Sequence, residues 1–135
     1  MLVLAVVTSV TSLSLYAASA DSFNENEVKD RVKARWETIV GHKFGDTYQF
    51  ETPTYKAVFP SDLYVNQFSD GVDWRLTKIE DIKYDPVTGV ASVVVDVKTS
   101  SRNSKGLDAK VKTVSVKIHE KWLHIKGRWW HSSSE

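Results

Sequence analysis

The chain has 135 residues, 41% of them hydrophobic and 26% charged, with a formal net charge of +1 and no cysteine. Such a length accommodates one compact domain, for which ~100–150 residues is the common size. The even charge balance excludes a nucleic-acid footprint over the whole domain, and the lack of cysteine excludes a disulfide, a thiolate metal site and a thiol nucleophile.

Residues Met1–Ala20 carry no charge and are rich in Leu, Val, Ala, Ser and Thr. The run closes on Ala18-Ser19-Ala20 before Asp21, a small-x-small cleavage pattern. Thr8, Ser9, Thr11, Ser12 and Ser14 interrupt it, which disfavours a membrane anchor of ~20 predominantly apolar residues. No basic residue precedes the apolar stretch. The reading is a signal peptide over 1–20 and a single mature domain over 21–135. Its destination is a bacterial periplasm or the extracellular space.

The first helix is expected from near Ser22. Ser22-Phe-Asn-Glu25 and Asn24-Glu-Asn-Glu27 are overlapping cap-like starts. Val28, Val32, Trp36, Ile39 and Val40 form one apolar stripe at helical spacing, and Gly41 or Gly45 ends it. A second short helix is predicted over Asp46–Glu51, stopped by Thr52-Pro53. Tyr55 and Phe59 fall in an irregular stretch. Ser61 or Asp62 caps a third short helix through Phe68, and Ser69-Asp70-Gly71 is a turn.

The remainder reads as strand. Val72, Trp74 and Leu76 alternate, then the apolar phase slips to Ile79, Ile82 and Tyr84, which places a bulge near Thr77–Lys78. Asp85-Pro-Val-Thr-Gly89 is a hairpin turn. Ala91, Val93, Val95 and Val97 share one face of a central strand. Thr99–Asp108 is a polar loop. A second phase slip, from Ala109 and Val111 to Val114, Val116, Ile118 and Trp122, predicts another bulge near Lys112–Thr113. The last hairpin turns at His124–Gly127 and returns through Trp129 and Trp130. The fold class is therefore α+β, with one long and several short helices on a curved, bulged, four-stranded antiparallel sheet.

This order resembles the nuclear transport factor 2-like superfamily, the cystatin-like α+β cone. The matching features are Trp36, Gly45-Asp46-x-Tyr48, Pro53-x-Tyr55 and Val72-x-Trp74. To these are added Tyr84-Asp-x-x-x-Gly89-x-Ala-x-Val, Glu120-x-Trp122 and Gly127-x-Trp129. The resemblance implies a helix packed into a curved sheet that leaves a conical pocket, and in several members pairing through the sheet, hence a homodimer. Members include ketosteroid isomerase, scytalone dehydratase and polyketide cyclases, and many non-catalytic ligand-binding, accessory or dimerisation modules.

The pocket is expected to be bounded by residues from Trp36, Tyr48, Tyr55, Phe59, Tyr64, Phe68, Trp74 and Trp122, a concave aromatic surface suited to an apolar ligand. No local motif implies catalysis. Asp96 and His119 are the weak candidates. Asp73, Asp96, His119 and His131 are expected at outward or rim positions, so no general acid–base pair is expected inside the cone. Pairing across the last hairpin is expected to set His119 opposite His131, with no third ligand for a metal. No cofactor is implied. Between Val97 and Arg128, nine basic residues stand against Asp108 and Glu120. That gives the hairpin a basic face, with Lys110, Lys112, Lys117 and Lys121, which would meet an anionic protein, polysaccharide or lipid surface or protect an edge strand.

The favoured expectation is an exported, non-catalytic domain that binds a small apolar ligand or a protein partner through the pocket or the sheet surface. The alternative is a small lyase, isomerase or cyclase on an apolar substrate. A buried polar dyad at the cone floor favours the enzyme; a floor of Trp, Val and Phe alone favours binding.

Overall fold

The computed structural model describes residues 22–101 and 112–133. The expected signal peptide, most of the polar loop, and Ala109 to Val111 lie outside these residues. Helix α1 (Glu25–Val40) is capped by Asn24, whose side chain accepts from the Asn26 amide at 3.1 Å. Of the two cap-like starts, Asn24 is thus the one used. The helix buries Val28, Val32, Trp36 and Ile39 of the predicted stripe, and Arg35 beside them, while Val40, expected in the same stripe, is exposed at the helix end. The chain leaves α1 through Gly41 and then His42, which takes the left-handed φ of 55°.

Three short helices follow: α2 (Phe44–Tyr48), α3 (Pro53–Val58) and α4 (Ser61–Val65). The expected helix over 46–51 begins earlier and ends earlier. The stretch holding Tyr55, expected to be irregular, is helical. Thr52-Pro53 does end one segment, but it also starts another. The Thr52 side chain accepts from the Tyr55 amide at 3.2 Å, and Pro53, which has no amide hydrogen, takes a first-turn position.

The sheet has the order β1-β2-β3-β4, with β1 (Val72–Asp85), β2 (Val90–Ser101), β3 (Lys112–Ile125) and β4 (Arg128–Ser132), all neighbours antiparallel. Register shifts fall between Leu76 and Lys78, as the phase slip predicts, and again between Ile79 and Asp81. Among the described residues, which resume at Lys112, the bulge expected near Lys112–Thr113 is absent. The β2–β3 register runs unbroken from Val90↔Leu123 to Ser101↔Lys112. Within β3, positions 114, 116, 118, 120 and 122 share one face without a slip. Both irregularities belong to β1, which bends that edge of the sheet around α1.

The β3–β4 turn consists of Lys126 (φ 50°) and Gly127 (φ 78°), so Ile125 pairs with Arg128 and Trp122 with His131. Two consecutive left-handed residues match the twist of the flanking strands. The expected His119–His131 pairing is corrected by this tight turn, which moves His131 three places along β3.

Helix α1 lies on the concave face. Val28, Val32, Trp36 and Ile39 meet Ala91, Val93, Val95 and Val97 of β2, with Trp122 and Trp129 beyond. Burying a Val or Ile side chain contributes ~1.5–3 kcal/mol, so this seam holds helix and sheet together.

Candidate functional site

A cleft of about 450 Å³ opens between the C-terminal half of α1, the segment after α4, the start of β1 and the edge of β3 beyond the end of β4. Trp36, Ile39, Phe68, Trp74 and Ile118 supply its apolar walls. Phe68 stacks on Phe44 at 4.4 Å and meets Trp74 edge-on at 6.1 Å. Edge and face contacts of this kind hold aromatic walls in fixed orientation.

The floor is polar and buried. Strand alternation puts Ile118, Glu120 and Trp122 on the concave face, so Glu120 points under the cleft. Its Oε2 accepts from the Trp36 indole at 2.9 Å and from Arg35 Nη1 at 3.2 Å, and its Oε1 accepts from the Trp122 indole at 3.0 Å. Arg35 reaches a second carboxylate, with Nη2 at 3.8 Å from Glu51 Oε1. Arg35, Glu51 and Glu120 are all buried. Among the described residues, Arg35 Nε has no hydrogen-bond partner.

Glu51 sits where the short helices join β4. The His131 amide donates to the Phe50 carbonyl at 2.7 Å, and the Thr52 amide to the His131 carbonyl at 3.2 Å. The Glu51 carboxylate meets His131 Nδ1 at 2.9 and 3.1 Å. It also accepts from the Tyr64 hydroxyl at 2.8 Å and the Ser133 hydroxyl at 2.7 Å. Burial pushes this carboxyl upward, but the hydrogen bonds and charge of His131, with Ser133 and Tyr64, outweigh it and hold Glu51 below its ordinary range. Burial, and then the Glu51 charge, push the Tyr64 hydroxyl up despite Arg35 nearby, so Tyr64 stays a donor. Glu51 therefore engages Nδ1 of His131 and fixes the ring. Nε2 is the nitrogen left to an occupant of the cleft that His131 lines.

Among the residues expected to form the pocket, Trp36, Phe68 and Trp74 line this cleft. Tyr48, Tyr55, Phe59 and Tyr64 do not. They cluster over the short helices behind the cleft wall, where Tyr64 meets Phe68 edge-on at 5.4 Å and the Tyr48 hydroxyl donates to the Lys56 and Phe59 carbonyls at 2.9 and 2.8 Å. Trp122 is fully buried beneath Glu120. Asp96 lies on the convex face, 3.8 Å from Lys117. His119 is exposed at the cleft rim. Asp73 meets His42 at 3.0 Å. His131, expected at an outward or rim position, instead points inward, because the two-residue turn puts it opposite buried Trp122.

Sequence reasoning missed Glu51, Glu120 and Arg35. Two of them carry a signal. Glu120 has the parity of Ile118 and Trp122, and Arg35 stands three residues after Val32 on the apolar stripe. Glu51 carries none, since it is placed by a contact between the short helices and β4. Among the described residues, no cluster of His, Asp and Glu has the makings of a metal site.

Compared by sequence, the chain matches no protein-family model and no curated protein. Compared by structure, it is similar to proteins of one fold. A nuclear transport factor 2-like superfamily protein from Salmonella enterica is 10% identical with a TM-score of 0.54, covering 78% of this chain and 84% of that one. A candidate dehydratase of the same family from Streptomyces avermitilis is 13% identical with a TM-score of 0.53, covering 79% and 90%. A candidate polyketide cyclase from Xanthomonas campestris is 13% identical with a TM-score of 0.51, covering 83% and 93%. The chain has the nuclear transport factor 2-like fold, an α+β cone. Its structural neighbours include proteins described as enzymes and, in a candidate kinase association domain from Xanthomonas campestris, one described as an association domain.

Proposed function

We propose that the chain is an exported domain that binds a small molecule with an apolar body and one hydrogen-bonding end. The observation that carries this reading is the coupling of aromatic walls, Trp36, Phe68 and Trp74, to a polar floor in one cleft. The walls exclude water from the body of the ligand. The polar end meets His131 Nε2, held by Glu51. This modifies the purely apolar ligand expected from sequence. Export through residues 1–20 rests on the small-x-small pattern at Ala18-Ser19-Ala20.

A titration of intrinsic tryptophan emission with an anilinonaphthalene fluorophore tests the binding. Quenching should saturate, and Trp74→Ser should weaken it roughly tenfold, as loss of a central aromatic contact does. Equal affinity in that variant would remove the cleft as the site.

A second reading, a small lyase, isomerase or cyclase, is favoured by the Glu51–His131 pair, a buried polar dyad of the kind that favours an enzyme and that is not expected from sequence inside the cone. A histidine oriented through one nitrogen can take or return a proton through the other. Glu120 is less accessible to a substrate proton, because three donors already occupy its oxygens. Turnover of an apolar keto or hydroxy compound that disappears in His131→Gln, while fluorophore binding persists, would establish this reading. Unchanged turnover in His131→Gln would exclude it.

An anionic partner at the basic face would use the outer face of β3, where Lys121 is exposed; Lys112, also exposed, has the parity of the opposite face. Lys117 contributes less, since Glu80 and Asp96 neutralise it, and Lys110 lies outside the described residues. Homodimer pairing through the sheet would cover this same face, and sedimentation velocity at two salt concentrations detects it.

A further inference from the structure

Trp130 alternates to the face of β4 opposite Trp129 and His131, away from the cleft floor. Three cations approach its ring. Lys56 Nζ lies 4.8 Å from the ring centroid, and the guanidinium carbons of Arg31 and Arg128 each lie 5.7 Å from it. They come from three elements, α1, α3 and β4, and only the tertiary fold gathers them. Arg31 is held in place by Phe50, 4.5 Å beneath its guanidinium, and by donation from Nε to the Trp129 carbonyl at 3.0 Å.

No carboxylate pairs with any of the three among the described residues. Elsewhere the protein pairs its cations readily, as with Lys29 and Glu25 at 3.0 Å or Arg35 and Glu120 at 3.2 Å. Burial, and then the charge of Arg128, pull Arg31 below its ordinary range, so the positive charges are close enough to repel. The indole face eases that repulsion without cancelling it. Beside the cluster, Pro53, Ile125, Gly127 and Trp130 enclose a recess of about 360 Å³, with Lys126 and Arg128 also lining it. That is within the ~300–1,000 Å³ of small-molecule sites.

We propose that Arg31, Lys56 and Arg128, gathered around Trp130, form a binding site for a divalent oxyanion, a sulfate or a phosphate monoester group. Lys56 donates to the Gln49 carbonyl at 3.4 Å and Arg31 to that of Trp129, and three cations with no carboxylate paired to them among the described residues call for more than the single charge of a carboxylate. Two guanidinium forks match tetrahedral oxyanions through paired N–H donors, and the ammonium of Lys56 adds a point charge. Lys126, in the tight turn, adds a further positive charge at the recess. The site is independent of the cone cleft and of whatever binds there.

The test follows the indole N–H resonance of Trp130 in the full chain by nitrogen-15 NMR, with Trp130→Phe identifying the signal. Sodium phosphate and sodium sulfate are titrated at constant ionic strength, against sodium chloride. The expected result is a saturable shift with phosphate and sulfate that chloride does not produce. Lys56→Gln and Arg128→Gln should each weaken it roughly tenfold, as loss of a charge-assisted hydrogen bond does. Retained fluorophore binding in the same variants separates loss of this site from loss of the cleft. Phenyl phosphate distinguishes the source: tighter binding than inorganic phosphate assigns an esterified ligand, and equal binding assigns the free anion. A shift shared with chloride, a shift that does not saturate, or one unchanged in both variants would overturn the proposal.

Discussion

Replacing Glu120 with leucine removes one acceptor group and strands three buried donors: Arg35 Nη1 and the indole N–H groups of Trp36 and Trp122. Breaking a buried pair by removing one partner costs ~3–5 kcal/mol, because the other charge stays buried. Urea melts of Glu120→Leu should show a loss of that order. A loss under about 1 kcal/mol would mean that Arg35 finds water and that the floor is looser than its geometry implies. Glu51 adds a pH dependence. Its folded pKa lies below its ordinary value of 4.5, so the unfolded chain binds this proton more readily. The stabilisation is therefore complete above about pH 4.5 and is lost as pH falls through the folded value. Melts from about pH 7 down to about pH 3 should show an acid limb that flattens in Glu51→Gln. An unchanged limb would assign acid unfolding to other carboxylates.

At the scale of elements, helix α3 depends on its cap. Thr52→Ala removes the acceptor for the Tyr55 amide and should cost ~1 kcal/mol. Thermal melts measure it, and Thr52→Ser should restore most of the loss. No change in Thr52→Ala would mean that packing of Tyr55 against Phe59 and Tyr64 holds the turn by itself. The β3–β4 turn makes a second demand. Gly127 sits at φ 78° with open space where a Cβ would go, so Gly127→Ala meets backbone strain and no clash. The expected cost is ~1–2 kcal/mol, read by the same melts. A larger loss would show that the turn also fixes the register that brings His131 opposite Trp122.

For the whole molecule, the first prediction is processing. Intact mass of protein recovered from a secreting host should correspond to a chain beginning at Asp21. A mass that retains Met1–Ala20 would reject the signal-peptide reading. The second is the anchoring of helix to sheet. Trp36 is buried between α1 and the sheet and also donates to Glu120. Trp36→Ala should therefore cost ~3–5 kcal/mol, as core aromatic truncations do. A variant that melts within about 1 kcal/mol of the parent would show that the cleft can close over the missing ring.

The sequence alone determines the α1 stripe, the valine face of β2, the first bulge of β1 and the polar turn at Asp85–Gly89. Each is written in local periodicity or in residues with a restricted backbone, and local rules suffice to read it. The same rules misplace the second bulge. That expectation rests on the odd parity of Ala109 and Val111, which lie outside the described residues, while β3 from Lys112 onward pairs with β2 without a shift. Tertiary structure decides the site. Glu51, Glu120, Arg35 and His131 lie on four separate segments. A charged side chain reads as a solvent face until its partners are known, because burial of a charge is tolerated only where opposite charge and hydrogen bonds meet it. The cluster around Trp130 is decided in the same way. Arg31, Lys56 and Arg128 look like ordinary surface cations in sequence, and only packing brings them to one ring, with no carboxylate among the described residues paired to them.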